Sequence, residues 1–174
     1  MKTLIMCEGP NELEIIRILL QNHLICYKTD DLLGKTAYHA RQISKSPQVL
    51  LALRSCSEEV EVLRIGDTMT DRLAIPVEYK ARIIKVVKYC TKPELEMLLI
   101  LAEGMLADYE RAQKRPKLFA KERIKLGRKK YDNSTMFYHE YFYNNPERLV
   151  WAIREYKRIK RHNHGEEFLA SLLR

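Results

Sequence analysis

The sequence predicts an α/β protein with a mostly parallel central sheet of about four strands flanked by helices, followed by a basic helical C-terminal extension. Three observations predict it. Short apolar or β-branched runs recur at residues 3–6, 59–65 and 81–89, each too short for a stable helix. Helix-start chemistry follows two of them at once: Gly9-Pro10 after the first and Thr91-Lys92-Pro93-Glu94 after the third. Charge is also split along the chain. Residues 1–110 hold 14 Lys and Arg against 16 Asp and Glu, a net of −2, and residues 111–174 hold 17 against 7, a net of +10.

Residues 3–6 read as a buried first strand, with Glu8 at its carboxyl end. Gly9 lets the chain turn sharply, and Pro10 brings the fixed φ that suits the first turn of a helix. That helix carries Leu13, Ile16 and Leu20 on one face and Glu12 in its first turn. Residues 24–27 read as a short second strand and 28–31 as a polar turn. The following LLGKT, residues 32–36, looks like part of a phosphate loop, but Thr29 stands where that motif needs glycine. Asp30 and Asp31 would repel a phosphate there, which excludes a nucleoside-triphosphate site. Residues 48–53 read as a helix after Pro47. Residues 59–65 form a strand with Val60, Val62, Leu63 and Ile65, running into IGDTMTD with Asp67 at its end and Asp71 four residues on. Residues 81–89 are another strand. The Thr-x-x-Glu box after it opens a helix with Leu95, Leu98, Leu99, Ala102, Met105 and Leu106 at core spacing, and Glu96 in its first turn.

From Arg111 the character changes. Residues 111–130 hold ten Lys and Arg and one acid, Glu122. On helical spacing Lys114, Lys117, Lys121 and Lys125 share a face; with Arg128, Lys129 and Lys130 they form the expected nucleic-acid surface. Tyr131, Tyr138, Tyr141 and Tyr143 interleave with this basic stretch, a mixture suited to stacking on single-stranded nucleic acid. Phe137, Phe142 and Trp151 read instead as the core of a helical layer. A last helix starts near Pro146 with Leu149, Val150, Ile153 and Tyr156, and His162-Asn163-His164 reads as a solvated end.

The 174 residues suffice for one core, read as an α/β domain over 1–110 with an extension over 111–174 packed on it. No apolar run approaches the roughly 18 residues of a membrane span, and no signal peptide opens the chain, so a cytoplasmic protein is expected. Cys7, Cys26, Cys56 and Cys90 never form CxxC, which argues against zinc and a disulfide framework and for reduced, mostly buried thiols.

Each strand-to-helix junction offers carboxylates. Glu12 alone would be a favourable first-turn acid, and Gly-Asp-Thr alone is good turn chemistry. Together they differ, because parallel strands bring their carboxyl ends to one edge, where open α/β sheets bind ligands. Like charges gathered there repel unless a proton or cation separates them.

These junctions resemble the Toprim fold, in which a glutamate-glycine turn follows the first strand and a later strand ends in Asp-x-Asp. The fuller resemblance is to Toprim-like nucleases of the OLD type and the RloB-like family. It rests on Glu8-Gly9-Pro10-Asn11-Glu12 and on Pro93-Glu94-Leu95-Glu96, and covers residues 1–110. Here the Asp motif is replaced by Asp67-Thr68-Met69-Thr70-Asp71. The resemblance implies a nuclease dependent on Mg²⁺ or Mn²⁺, with Glu8, Asp67 and Asp71 as ligands and Glu12 and Glu96 joining if two ions are used. It also implies Glu8 as general base, and Lys129 or Lys130 are candidates to stabilise the phosphorane. DNA and RNA both remain open as substrate. Defence against phage or other foreign nucleic acid is implied as well, with any partner ATPase supplied by another protein. The alternative is a non-catalytic Toprim-like module that binds nucleic acid or a protein.

Overall fold

In the computed structural model, which describes residues 1–67, 71–92, 94–160 and 167–174, five strands form one sheet. They are β1 (Lys2–Cys7), β2 (Leu32–His39), β3 (Val60–Gly66), β4 (Ile83–Cys90) and β7 (Glu167–Phe168), in the order β2-β1-β3-β4-β7. Every neighbouring pair is parallel. A separate antiparallel hairpin joins β5 (Lys125–Leu126) to β6 (Lys129–Lys130). The helices are α1 (Pro10–Gln21), α2 (Pro47–Arg54), α3 (Met97–Ala102), α4 (Leu106–Ala112), α5 (Pro116–Arg123), α6 (Thr135–Phe142) and α7 (Pro146–Ile159).

Strand alternation divides the interior in two. Ile5 and Cys7 of β1 and Leu63 and Ile65 of β3 face a large core shared with α1, α3, α6 and α7. Leu4, Met6, Val60 and Val62 point the other way, to a smaller core closed by Val49 and Leu53 of α2 and by Tyr79. The chain leaves β1 for β2 on one side and returns to β3 on the other, so the order reverses between β1 and β3, where doubly wound sheets open a crevice at the strands' carboxyl ends.

Several expectations are corrected. Residues 24–27 do not join the sheet: Ile25 makes only an isolated antiparallel bridge to Leu173. The second strand is β2, and it includes LLGKT. Gly34 (φ 66°) and Lys35 (φ 57°) bulge outward, so pairing with β1 jumps from Leu32 to Ala37 and the period-two pattern is lost. The Thr91 capping box does not form. Thr91 stays extended, its N–H donating to Gly66 O, and α3 starts later, after Glu96. Gly104, at φ 68°, then ends that helix before Leu106 opens α4. Trp151 is 51% exposed rather than core, because α7 buries Leu149, Ala152, Ile153 and Tyr156 along a stripe that Trp151 misses.

The basic stretch is not one helix. Gln113 in the left-handed region and Pro116 divide it into α4, α5 and the hairpin, so of the four lysines expected on one face only Lys117 and Lys121 share a helix. The described residues of 111–174 are mostly helical, yet they also supply the fifth strand β7, while α6 packs on α1 and α7 on α3. Cys7 and Cys90 are buried, Cys26 is exposed and Cys56 half-buried. Among the described residues no helix is long and apolar enough to cross a membrane. Pro93, residues 68–70 and His162-Asn163-His164 lie outside the described residues.

Candidate active site at the carboxyl edge of the sheet

β1 and β3 run in register from Lys2↔Val60 to Cys7↔Ile65, so Glu8 emerges level with Gly66, its N–H donating to Ile65 O at 2.8 Å. Glu8 continues the alternation of Leu4 and Met6 and turns to the α2 side. There it is 4% exposed, with Arg64 Nη2 3.6 Å and Lys88 Nζ 3.4 Å from its Oε1. Arg64 shares this side because it continues the alternation of Val60 and Val62, and Lys88 because it pairs with Arg64 across the ladder. Arg64 also reaches Asp71, with Nη2 to Oδ2 at 3.0 Å and Nη1 to the main-chain oxygen at 2.7 Å. Gln42 Nε2 donates to Asp71 Oδ1 at 3.0 Å. Asp71 thus pins the loop after β3 onto Arg64 and Gln42.

The other carboxylates meet on the α1 side. Glu12, Asp67, Glu94 and Glu96 line one cavity of about 180 Å³, together with Asn11, Lys117, Asn133 and Tyr138. They come from three junctions: Glu12 after β1, Asp67 after β3, and Glu94 and Glu96 after β4. Burial raises the Glu12 pKa above the ordinary carboxylate value, and the charges of Asp67, Glu8 and Glu96 push it further in the same direction. Glu96 is 5% exposed and accepts a 2.7 Å hydrogen bond from the Tyr131 hydroxyl, which burial holds strongly protonated. Tyr131 lies within 3.3 Å of the Tyr138 hydroxyl and 3.0 Å of Asn133 Oδ1. Asn11 Nδ2 donates to Asn133 while its Oδ1 accepts from Thr135, which ties the start of α1 to the α6 entry. Glu94 accepts from the Lys117 main-chain N–H at 2.8 Å and so caps α5.

The expected site residues therefore fall into groups. Glu12, Asp67 and Glu96 line one cavity, Glu8 lies beside Gly66 on the α2 side, and Asp71 is engaged by Arg64. Lys129, whose Nζ is 3.0 Å from Glu140, and Lys130 belong to the hairpin and are not among the cavity's lining residues, whereas Lys117 is. Lys114, Lys121, Lys125 and Arg128 are exposed, with Lys114 paired to Glu122 at 2.6 Å. Arg64, Lys88 and Asn11 are not among the site residues expected from sequence, and Tyr131, expected to stack on nucleic acid, instead donates to Glu96. Arg64 alone had left a signal, as a cation inside the apolar run VEVLRIG at a core-facing parity.

The cavity's carboxylates offer oxygen ligands, the kind that hard divalent cations take. Among the described residues, no group of three or more His, Cys, Asp or Glu is arranged to hold a metal ion as the side chains stand. The chain matches no family model, and no curated protein or solved structure matches it significantly.

Proposed function

We propose that the chain is a Toprim-like phosphodiesterase that acts on DNA or RNA with Mg²⁺ or Mn²⁺. The observation that carries this reading is the gathering of four carboxylates from three strand-to-helix junctions into one cavity at the sheet's carboxyl edge. Glu12, Asp67 and Glu96 would hold the ion; burial first and the neighbouring carboxylates second raise the Glu12 pKa, and a cation would offset both costs of its charge. When bound, the ion supplies charge neutralisation at the scissile phosphate and a more acidic water. The chain's own residues do the rest. Tyr131 orients Glu96 through its hydroxyl, Arg64 and Lys88 hold the Glu8 carboxylate in place as the acceptor for the water's proton, and Lys117 supplies positive charge to the cavity wall.

One observation favours the second reading, a non-catalytic module that binds nucleic acid or a protein: Arg64 and Lys88 already compensate the charge of Glu8 from within the chain. Hydrolysis assays with short single- and double-stranded DNA and RNA, with and without Mn²⁺, separate the two. Metal-dependent cleavage lost in Glu8→Gln and in Asp67→Asn is the expected result. Strand binding without cleavage under any metal selects the second reading, and no cleavage with no metal-induced stabilisation overturns the first.

A further inference from the structure

On the α2 side of the same β1–α1 turn lies a second, larger crevice of about 530 Å³, within the ~300–1,000 Å³ of small-ligand sites. Its wall is the end of β2 and the loop into α2, and it is lined by His39, Arg41, Lys45 and Gln48, with Glu8 at its inner end. Three features give it a positive field. Among the described residues no carboxylate side chain pairs with His39, Arg41 or Lys45, and the Arg41 guanidinium donates from Nε to the main-chain oxygen of Glu8 at 3.3 Å. The acid in the lining, Glu8, is flanked by Arg64 and Lys88. The crevice is also closed by the first turn of α2, which contains no acidic residue to offset its dipole. Its shape is held by Gln42, which donates to Asp71 and Arg72 O and accepts from the Ala74 N–H at 2.9 Å.

We infer that this crevice binds a phosphate of a nucleic-acid strand, adjacent to the phosphate that reaches the carboxylates. The inference deepens the nuclease reading and takes the strand from it, since an anion subsite and a carboxylate cavity on either side of one turn suit successive positions of a polyanion. Arg41 and Lys45 contact phosphate oxygens, His39 donates a ring N–H, and the Gln48 amide faces the same anion. Such contacts hold the strand without reading bases.

The test is binding of a short, labelled single-stranded oligonucleotide to the full chain in EDTA, so that cleavage plays no part. Lys45→Gln and the double variant Arg41→Gln/Lys45→Gln are compared with wild type across a salt series, and thermal melting controls for folding. In the double variant, affinity is expected to fall about tenfold or more, as for removal of hydrogen bonds to a charged group. The slope of log K against log salt flattens by roughly 0.7 for each phosphate that the protein no longer neutralises. The Gln48 amide resonance should move during titration of wild type and stay still in the double variant. Wild-type affinity and slope in a folded double variant overturn the inference. Inorganic phosphate saturating the same amide shift as tightly as the oligonucleotide overturns the strand as the ligand in favour of a free phosphate compound. Retained oligonucleotide binding in a protein that never cleaves leaves this subsite standing while sinking the catalytic reading.

Discussion

A Cβ placed on Gly66 would lie 2.2 Å from the carboxylate carbon of Glu8 and 2.5 Å from its Cγ. The absent side chain of one strand end is therefore the seat of the acid on its neighbour. No positive φ is required at Gly66, so alanine is allowed by the backbone, and the nearest atoms its Cβ would meet all belong to Glu8. Gly66→Ala is expected to fold and to lose metal-dependent cleavage while keeping any Mn²⁺-induced rise in melting temperature, because Glu8 serves as proton acceptor and not as a ligand. A Gly66→Ala protein that cleaves like wild type would show that the seating of Glu8 is immaterial.

Glu12 links the site to pH. Its folded pKa is raised, so the folded state binds this proton more tightly than the unfolded state, for which 4.5 is the ordinary value. Its ionisation therefore subtracts stability as pH rises through the folded pKa, and the subtraction vanishes below the unfolded value. Glu12→Gln should raise the melting temperature at neutral pH, and the gain should shrink to nothing below pH 4.5. A gain that persists unchanged in acid would mean that the substitution acts through something other than this charge.

Arg64 stands between two acids, 3.6 Å from Glu8 and 3.0 Å from Asp71, and is itself 4% exposed. Replacing it with leucine strips the buried Glu8 of a cation, with Lys88 remaining beside it, and leaves Asp71 held by Gln42 without its ion pair. Removing one partner of a buried pair costs about 3–5 kcal/mol, so Arg64→Leu should lower the urea midpoint by that equivalent with the slope unchanged. A loss within the scatter of surface substitutions would show that Glu8 tolerates the change by relaxing toward solvent.

Tyr131 bears on Glu96 through its hydroxyl alone. Tyr131→Phe keeps the edge-on packing against Phe137, at 5.2 Å between ring centroids, and deletes the donor to a buried carboxylate. The expected cost is about 1.5–3 kcal/mol in urea denaturation, the range for a hydrogen bond to a charged group. Mn²⁺ should recover more of that loss than it adds to wild type, because a cation would satisfy the same oxygen. Equal metal-induced shifts in the two proteins would separate Glu96 from the metal.

The β1–α1 turn was legible because each of its residues has a local reason to be there: an apolar run ends, glycine turns, and proline starts a helix. β3, β4, α2 and α7 were legible on the same terms. β2 was not, since Gly34 and Lys35 break alternation where the strand bulges and the remaining apolar residues no longer show a period. The Thr91 box failed through competition, as Thr91 is held by Gly66 O and Glu94 by the start of α5, both distant in sequence. The carboxylates could be named from their junctions, but their division between two sides of the sheet follows from strand parity across β1, β3 and β4, which Arg64 makes plain only after the register is known. The tyrosine that steadies Glu96 comes from the basic half, where the sequence suggested stacking on nucleic acid.

The interrupted pairing of β2 has a consequence for the protein in company. A sheet offers its outermost backbone groups to any passing strand, and a long, flat border is a template for aggregation. Here β2 forms one border, and its Gly34–Lys35 bulge breaks the row of outward N–H and C=O groups and sets a charged lysine at the break. On the opposite side β7 covers only Tyr89 and Cys90 of β4, so among the described residues the earlier part of β4 carries no outer strand. A foreign strand would find no continuous ladder along β2, so that border does not recruit neighbours edge to edge.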